Sequence, residues 1–380
     1  MKKVQEPTVR KTLTMATSRI PWQPLIGLVG AVVVMSVVVL SGQELKHVPP
    51  AAPSFIVLHT FAGSPTDGDF PTADLIRDSA GNLYGTTPYG YDSSACFGDM
   101  EPCGVVFKLS PAGAETILHS FTVLAEGYFP YAGLIQDAAG NLYGTTAYGG
   151  PQDSGVVFKL SPTGTYTVLH SFTGGAGGAY PAAGLVRDAA GNLYGTTNQG
   201  GSATSTCYPP FGCGVVFELI RCDSEPSGYE FKVLQNFEGG ADGALPQGSL
   251  LRDAAGNLYG TTQFGGGVSS SACTGYFLPG CGTVFKVSAT GTKTILYRFP
   301  GTLDGSFFPV AGLIEDAAGN LYGTTYGGLS LGCCGTVFKL SPTGTETVLY
   351  GFNVFNEADG RNPSARLVRD AAGNLYGTTT

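Results

Sequence analysis

Asp137-Ala138-Ala139-Gly140-Asn141-Leu142-Tyr143-Gly144-Thr145-Thr146 decides the fold, because the chain writes this block, with small changes, six times. The other copies begin at Asp78, Asp188, Asp253, Asp316 and Asp370, 51–65 residues apart. A fixed block at a variable period is one supersecondary unit repeated, with insertions confined to particular loops. In the second unit, residues 132–137 read as a short strand. Residues 137–140 read as a type I turn, with Asp at its first position and Gly at its fourth. Residues 141–146 form a second strand and 155–160 a third. Ser161-Pro162-Thr163-Gly164 is another type I turn, and 167–172 form the fourth strand.

Four short antiparallel strands per repeat predict an all-β fold, a β-propeller of about six four-stranded blades. An open β-solenoid is the alternative, although its repeats are usually shorter. The first-, second- and fourth-strand blocks each occur six times. The third-strand block occurs five times, from Gly104, Gly155, Gly214, Gly282 and Gly335. The chain therefore opens on a fourth strand near 55–61 and stops on a second strand. Ring closure would pair 55–61 with the last blade beside 365–379, since closure removes exposed edges. The last blade is then either a three-stranded composite or one whose third strand lies beyond Thr380, as in a truncated reading frame.

Composition agrees. Gly numbers 58, Tyr and Phe together 41, and charged residues are 13% of the chain, which suits short strands and tight turns. Net charge is −8. Lys2, Lys3, Arg10, Lys11 and Arg19 against Glu6 make residues 1–24 basic, so the remainder carries 15 cations and 27 anions. An acidic body without a basic cluster is a poor partner for nucleic acid. Residues 25–42 form an apolar segment with Trp22 at its edge, read as a signal peptide or an uncleaved signal-anchor helix. Its 16-residue apolar core, 25–40, is slightly short of the ~20 expected for a spanning helix. The expected organisation is a basic cytoplasmic region (1–24), that helix, a Pro-rich linker (43–53) and a repeat domain (54–380). The body is expected to be exported, secreted or membrane-anchored, and monomeric.

The block Gly-Asn-Leu-Tyr-Gly-Thr-Thr, followed by Gly-Val-Val-Phe-Lys-Leu-Ser-Pro-Thr-Gly and Val-Leu-His-Ser-Phe, resembles the GloVer tandem repeat of the choice-of-anchor family over about 54–380. That resemblance implies an exported bacterial surface protein. It implies no established activity and no catalytic residues. The chain departs from the family pattern in having no anchor after Thr380.

Turns after strands one and three are nearly invariant between copies, whereas loops after strands two and four vary. The varying face is therefore the candidate binding surface. Its loops carry Tyr89, Tyr91, Phe97, Tyr148, Tyr208, Phe211, Phe264, Tyr276, Phe277 and Tyr326. Aromatic planes beside Gly, Ser and Asn suit glycan or peptide surfaces, and equally suit packing within the loops. Cys96 with Cys103, Cys207 with Cys213, and Cys273 with Cys281 bracket these loops and predict disulfides in an oxidising compartment. Zinc is the competing reading of these pairs, and no His lies in the loops. Cys333 and Cys334 are candidates for a vicinal disulfide, and Cys222 is expected to stay unpaired within its blade.

The six repeated Asp residues read as turn formers rather than calcium ligands. A second series, Asp67, Glu126, Asp242, Asp304 and Asp359, each followed by Gly, reads as turns or as a carboxylate ring able to hold a cation or a sugar. His59, His119 and His170 share one repeat position with Gln235, Tyr297 and Tyr350, so that position packs or hydrogen-bonds instead of serving as a catalytic base. No nucleophile elbow, phosphate loop or metal-spaced His pair is present, and no cofactor is implied. The leading expectation is a non-enzymatic module binding glycan, protein or matrix. The alternatives are a lactonase- or lyase-like enzyme with a channel-mouth cation, and a structural spacer.

Overall fold

In the computed structural model, residues 2–4 and 56–379 are described, apart from 64–66, 91–102, 123, 203–206, 208–211, 268–272, 274–277, 279, 302–305, 329–333 and 354–359. The chain divides into two compact units, Met1–Glu6 with Leu58–Thr380, and Pro7–Val57. The expected helix at 25–42 lies outside the described residues. Among the described residues no helix is long and apolar enough to cross a membrane.

The first unit is a β-propeller with five four-stranded blades, each an antiparallel sheet with its strands in chain order. Blade 1 comprises Ile76–Arg77, Leu83–Thr87, Val105–Leu109 and Glu115–Ser120. Blade 2 comprises Ile135–Gln136, Leu142–Thr146, Val156–Leu160 and Tyr166–Ser171. Blade 3 comprises Val186–Arg187, Leu193–Thr197, Val215–Arg221 and Tyr229–Asn236. Blade 4 comprises Leu251–Arg252, Leu258–Thr262, Thr283–Val287 and Lys293–Arg298. Blade 5 comprises Ile314–Glu315, Leu321–Thr325, Thr336–Leu340 and Glu346–Gly351.

The sixth copy forms a three-stranded sheet rather than a sixth four-stranded blade, and its third strand comes from a segment other than the one expected. Val368–Arg369 and Leu375–Gly377 pair with each other, and Lys2–Val4 adds to Leu375–Gly377 as the third strand. The segment expected to close this sheet forms no strand at 56–61. The reason is one of neighbours: in every four-stranded blade the fourth strand hydrogen-bonds only to the third, and among the described residues no third strand lies beside 56–61. The segment keeps the packing of a fourth strand without its ladder. Phe61 meets Phe107 edge-on at 5.0 Å, just as Phe121 meets Phe158 at 5.5 Å, Phe172 meets Phe217 at 5.2 Å, Phe237 meets Phe285 at 5.0 Å and Phe299 meets Phe338 at 5.3 Å.

These Phe pairs are the core between blades. Third-strand residues such as Val156, Val157, Phe158 and Leu160 are buried on both strand faces, because each blade is sandwiched by its neighbours. A bulge recurs between Val and Phe in all five third strands. The Gly of the repeated block has a packing cause: a Cβ on Gly144 would meet Phe158 Cζ at 2.6 Å and Leu134 Cδ2 at 2.9 Å. The tip of the Phe ring sits against this bare backbone in every four-stranded blade.

The turn aspartate does more than shape its turn. Asp137 Oδ1 accepts from the backbone N–H of Asn141, and Oδ2 accepts from the Asn141 side chain and from the Tyr143 hydroxyl. The same Asp–Asn–Tyr triad recurs at Asp78, Asp188, Asp253, Asp316 and Asp370. Both oxygens are thus already engaged inside each repeat. Burial raises the carboxyls of Asp137, Asp188, Asp253 and Asp316, and the bonds from Asn and Tyr together outweigh it. At Asp78 and Asp370 the Asn side-chain bond is the largest effect. All six lie below the ordinary carboxylate range, Asp316 and Asp370 at about 2.

Candidate functional site

The loops after strands two and four share one face, as expected. What holds them is mostly backbone. After each second strand, the closing Thr donates its hydroxyl to the carbonyl two residues on: Thr87 to Tyr89, Thr146 to Tyr148, Thr197 to Gln199, Thr262 to Phe264 and Thr325 to Gly327. That residue or its neighbour then bridges to the loop entering the same blade. Asp69 pairs with Tyr89, Tyr128 with Tyr148, Ala179 with Gln199, Ala244 with Phe264 and Phe307 with Gly327.

Each entering loop ends in a residue that precedes Pro and has positive φ: Phe70, Phe129, Tyr180, Leu245, Phe308 and Asn362, with φ of 50–58°. Proline disfavours helical geometry in the residue before it, and a bulky side chain at positive φ is strained. Hydrogen bonds on both sides hold it there. Phe129 N–H donates to Cys103 O in blade 1, and Phe129 O accepts from Ala147 N–H in blade 2. Tyr180 does the same between Ser154 and Asn198, and Leu245 between Cys213 and Gln263.

Pre-proline and post-strand residues alternate around this face, and over blades 1–3 they form a continuous aromatic arc. Phe70 meets Tyr89 at 5.8 Å, Tyr89 meets Phe129 at 5.0 Å, Phe129 meets Tyr148 at 5.8 Å and Tyr148 meets Tyr180 at 4.8 Å between ring centroids. Tyr131 joins through a hydroxyl contact with Tyr89 of 3.1 Å. Buried Tyr128 backs Tyr148 as a parallel stack and donates to Asp153. Phe70 is 62% exposed, and Tyr89, Phe129, Tyr131, Tyr148 and Tyr180 are half-buried. The arc ends where Gln199 and Leu245 replace aromatics. On the far side Phe264 and Phe308 pair at 5.1 Å but are buried.

Of the ten aromatics expected from sequence, Tyr89 and Tyr148 belong to the arc, Phe264 is buried and Tyr326 stands exposed apart. Tyr91, Phe97, Tyr208, Phe211, Tyr276 and Phe277 lie outside the described residues. Phe70, Phe129, Tyr131 and Tyr180 were missed, although the dipeptides Phe70-Pro71, Phe129-Pro130 and Tyr180-Pro181 were a usable signal for three of them. The carboxylate series is not brought together. Asp67, Glu126 and Asp242 each sit at a different seam between blades, beside His59, His119 and Lys293 respectively; Asp304 and Asp359 lie outside the described residues. Disulfides join Cys207 to Cys213 and Cys273 to Cys281. Cys103 and Cys334 are each disulfide-bonded; Cys96 and Cys333 lie outside the described residues. Cys222 is free.

His119 and His170 pack, as expected for their repeat position. His119 stacks on Tyr166 at 4.2 Å and His170 on Phe231 at 4.0 Å, and burial lowers both to about 4. A cleft of about 390 Å³ between blades 3 and 4, lined by Tyr194, Lys232, Arg252 and Thr290, lies on the invariant-turn side, away from the arc.

The model of the Gloeobacter/Verrucomicrobia repeat matches residues 45–208, 95–278 and 210–380, and the chain belongs to that family. No curated protein matches it. Among solved structures it is similar to a proposed 6-phosphogluconolactonase of Bacteroides uniformis, at 15% identity and TM-score 0.49, over 83% of this chain and 80% of that one. It is also similar to a luciferin-regenerating enzyme, at 13% identity and TM-score 0.44, over 81% of each chain. A third is the extracellular domain of a proposed hybrid two-component system of B. thetaiotaomicron, at 12% identity and TM-score 0.44, over 81% of this chain and 37% of that one.

Proposed function

We propose that this chain is an exported, non-enzymatic binding module that holds a glycan on the aromatic arc of its variable face. The observation that carries this reading is the unbroken, partly exposed run Phe70–Tyr89–Phe129–Tyr148–Tyr180 on a rim fixed by backbone bonds. Ring faces spaced a few ångströms apart suit successive sugar rings, and a rigid platform lowers the ordering cost of binding. The disulfides support export, because such bonds persist in oxidising compartments, and so does the basic-then-apolar N-terminus. We read the array as six units around one axis. First-strand residues from neighbouring units approach in sequence there: Asp74 beside Gly133, Gly133 beside Gly184, Gly184 beside Ser249, Ser249 beside Gly312 and Gly312 beside Arg366.

The test is a glycan array and a bacterial-polysaccharide pull-down with the purified chain, compared with Tyr148→Ala and Tyr89→Ala. Binding lost in both variants is expected. Binding by neither parent nor variants, or equal binding by all three, overturns the reading. Capture of a protein without any glycan would replace the ligand class.

A further inference from the structure

The seams between blades repeat three positions, and their side chains differ from seam to seam. One is the fourth-strand position of His59, His119, His170, Gln235 and Tyr297. The second is the acidic-loop position of Asp67, Glu126 and Asp242. The third is the fourth-strand residue of the next blade that pairs with the Leu or Val two residues after the third-strand Phe: Glu115, Tyr166, Phe231, Lys293 and Glu346.

Four seams fill the third position with a stacking ring, a cation or a hydrogen-bonded carboxylate, though His119 Nε2 stays buried without a hydrogen-bond partner, 3.6 Å from Glu126 Oε2. His119 and His170 stack on Tyr166 and Phe231. Lys293 Nζ binds Asp242 Oδ2 at 2.6 Å. Glu346 accepts from the Tyr297 hydroxyl at 2.9 Å and from the Ser306 hydroxyl at 2.9 Å. The first seam does not. There, among the described residues, no ring stacks on His59, which meets Phe61 only edge-on, and two carboxylates face it without an ion pair to Lys or Arg.

We propose that His59, Asp67 and Glu115 form a site for one divalent first-row transition cation such as zinc, clamping the segment that enters blade 1 onto that blade's fourth strand. The ligand atoms of the three lie within 4.8 Å of one another. His59 Nε2 is 3.3 Å from Asp67 Oδ2 and 3.6 Å from Glu115 Oε2. Zinc bonds of about 2.0–2.2 Å, tetrahedrally disposed, set neighbouring ligand atoms roughly 3.3–3.6 Å apart, so both measured edges fit. One imidazole with two carboxylates is a borderline donor set that suits zinc or its first-row neighbours better than magnesium or calcium.

The surroundings agree. The side chains are 19% exposed at His59, 10% at Asp67 and 13% at Glu115. Glu115 Oε1 is buried without a hydrogen-bond partner. Asp67 is aimed by the backbone N–H of Ala62 and of Gly68, the positioning that carboxylate ligands commonly receive. The fourth coordination position is left to water.

The test is isothermal titration of zinc into the full chain after chelator treatment, in a Cys222→Ser background, with cobalt(II) absorption as a second readout. Parent protein is expected to bind one zinc, to show a tetrahedral cobalt spectrum and to melt higher with zinc. His59→Gln, which installs the residue found at position 235, and Glu115→Gln, which keeps the shape but removes an anionic ligand, should each weaken binding at least tenfold while retaining the β-sheet circular dichroism. No uptake by the parent at millimolar zinc overturns the proposal. So does equal affinity in parent and both variants, which would place the bound ion elsewhere.

Discussion

The two rims of this propeller are built from the same strands and differ in which atoms join them. On the invariant-turn rim the side chains make the bonds: Asp, Asn and Tyr close a network inside every copy. On the variable rim the joining is done largely by Thr hydroxyls and main-chain groups. Where side chains carry the bonds, their identity is demanded in each copy. Where the backbone carries them, the side chains are released to differ. The rim that varies is therefore as well built as the rim that repeats, and its variation is available for recognition.

The largest effect should come from the core beneath both rims. Phe217 is fully buried, packs on Phe172 and covers Gly195. Phe217→Ala is expected to cost about 3–5 kcal/mol, read as a fall in denaturation midpoint. A loss below about 1 kcal/mol would mean that the Phe pairs do not hold the blades together.

Acid should come next, and it acts on one rim only. The six turn aspartates have folded values below the unfolded value of about 3.9, Asp316 and Asp370 at about 2. Their contribution is present above the unfolded value and lost as pH falls through the folded ones. Thermal stability should therefore drop between about pH 4 and pH 2. A midpoint unchanged across that window would deny the triads any energetic role. Substituting a single triad should cost less than titrating six. Asp188→Ala leaves Asn192 and Tyr194 donors without their acceptor and removes the carboxylate 4.0 Å from Arg252, which is expected to cost about 1–3 kcal/mol.

The propeller, its hairpin turns and its loop-clipping cysteines were legible because they repeat or are local. Asp137 and Gly140 make a turn whose chemistry lies within four residues. The rest lies between copies. Phe121 reaches Phe158 across a seam, and Tyr148 reaches Tyr180 across another. Aligning the copies compares equivalent positions but does not reveal which of them touch. The failure at 55–61 has the same root, since a fourth-strand motif does not say which strand will lie beside it. The first-seam cluster was hidden because His59 looked like His119 and His170, and Glu115 belonged to no series.

Two tyrosines in one blade bring the comparison to its finest point. Tyr143 is buried on the turn rim and donates to Asp137; Tyr148, five residues on, is half-buried on the arc. Tyr143→Phe should cost about 1 kcal/mol of stability, the worth of one hydrogen bond, and leave glycan affinity unchanged. Tyr148→Ala should cost a similar or smaller amount, about 0.5–1 kcal/mol, because its ring stacks on Tyr128 and meets Tyr180 edge-on at a partly exposed site. Its affinity should fall at least tenfold, about 1.4 kcal/mol. Paired melting curves and titrations separate the outcomes. If Tyr148→Ala loses stability in proportion to affinity, the arc is scaffold like the other rim. If Tyr143→Phe also loses affinity, the two rims are coupled and the division of labour between side chain and backbone is wrong.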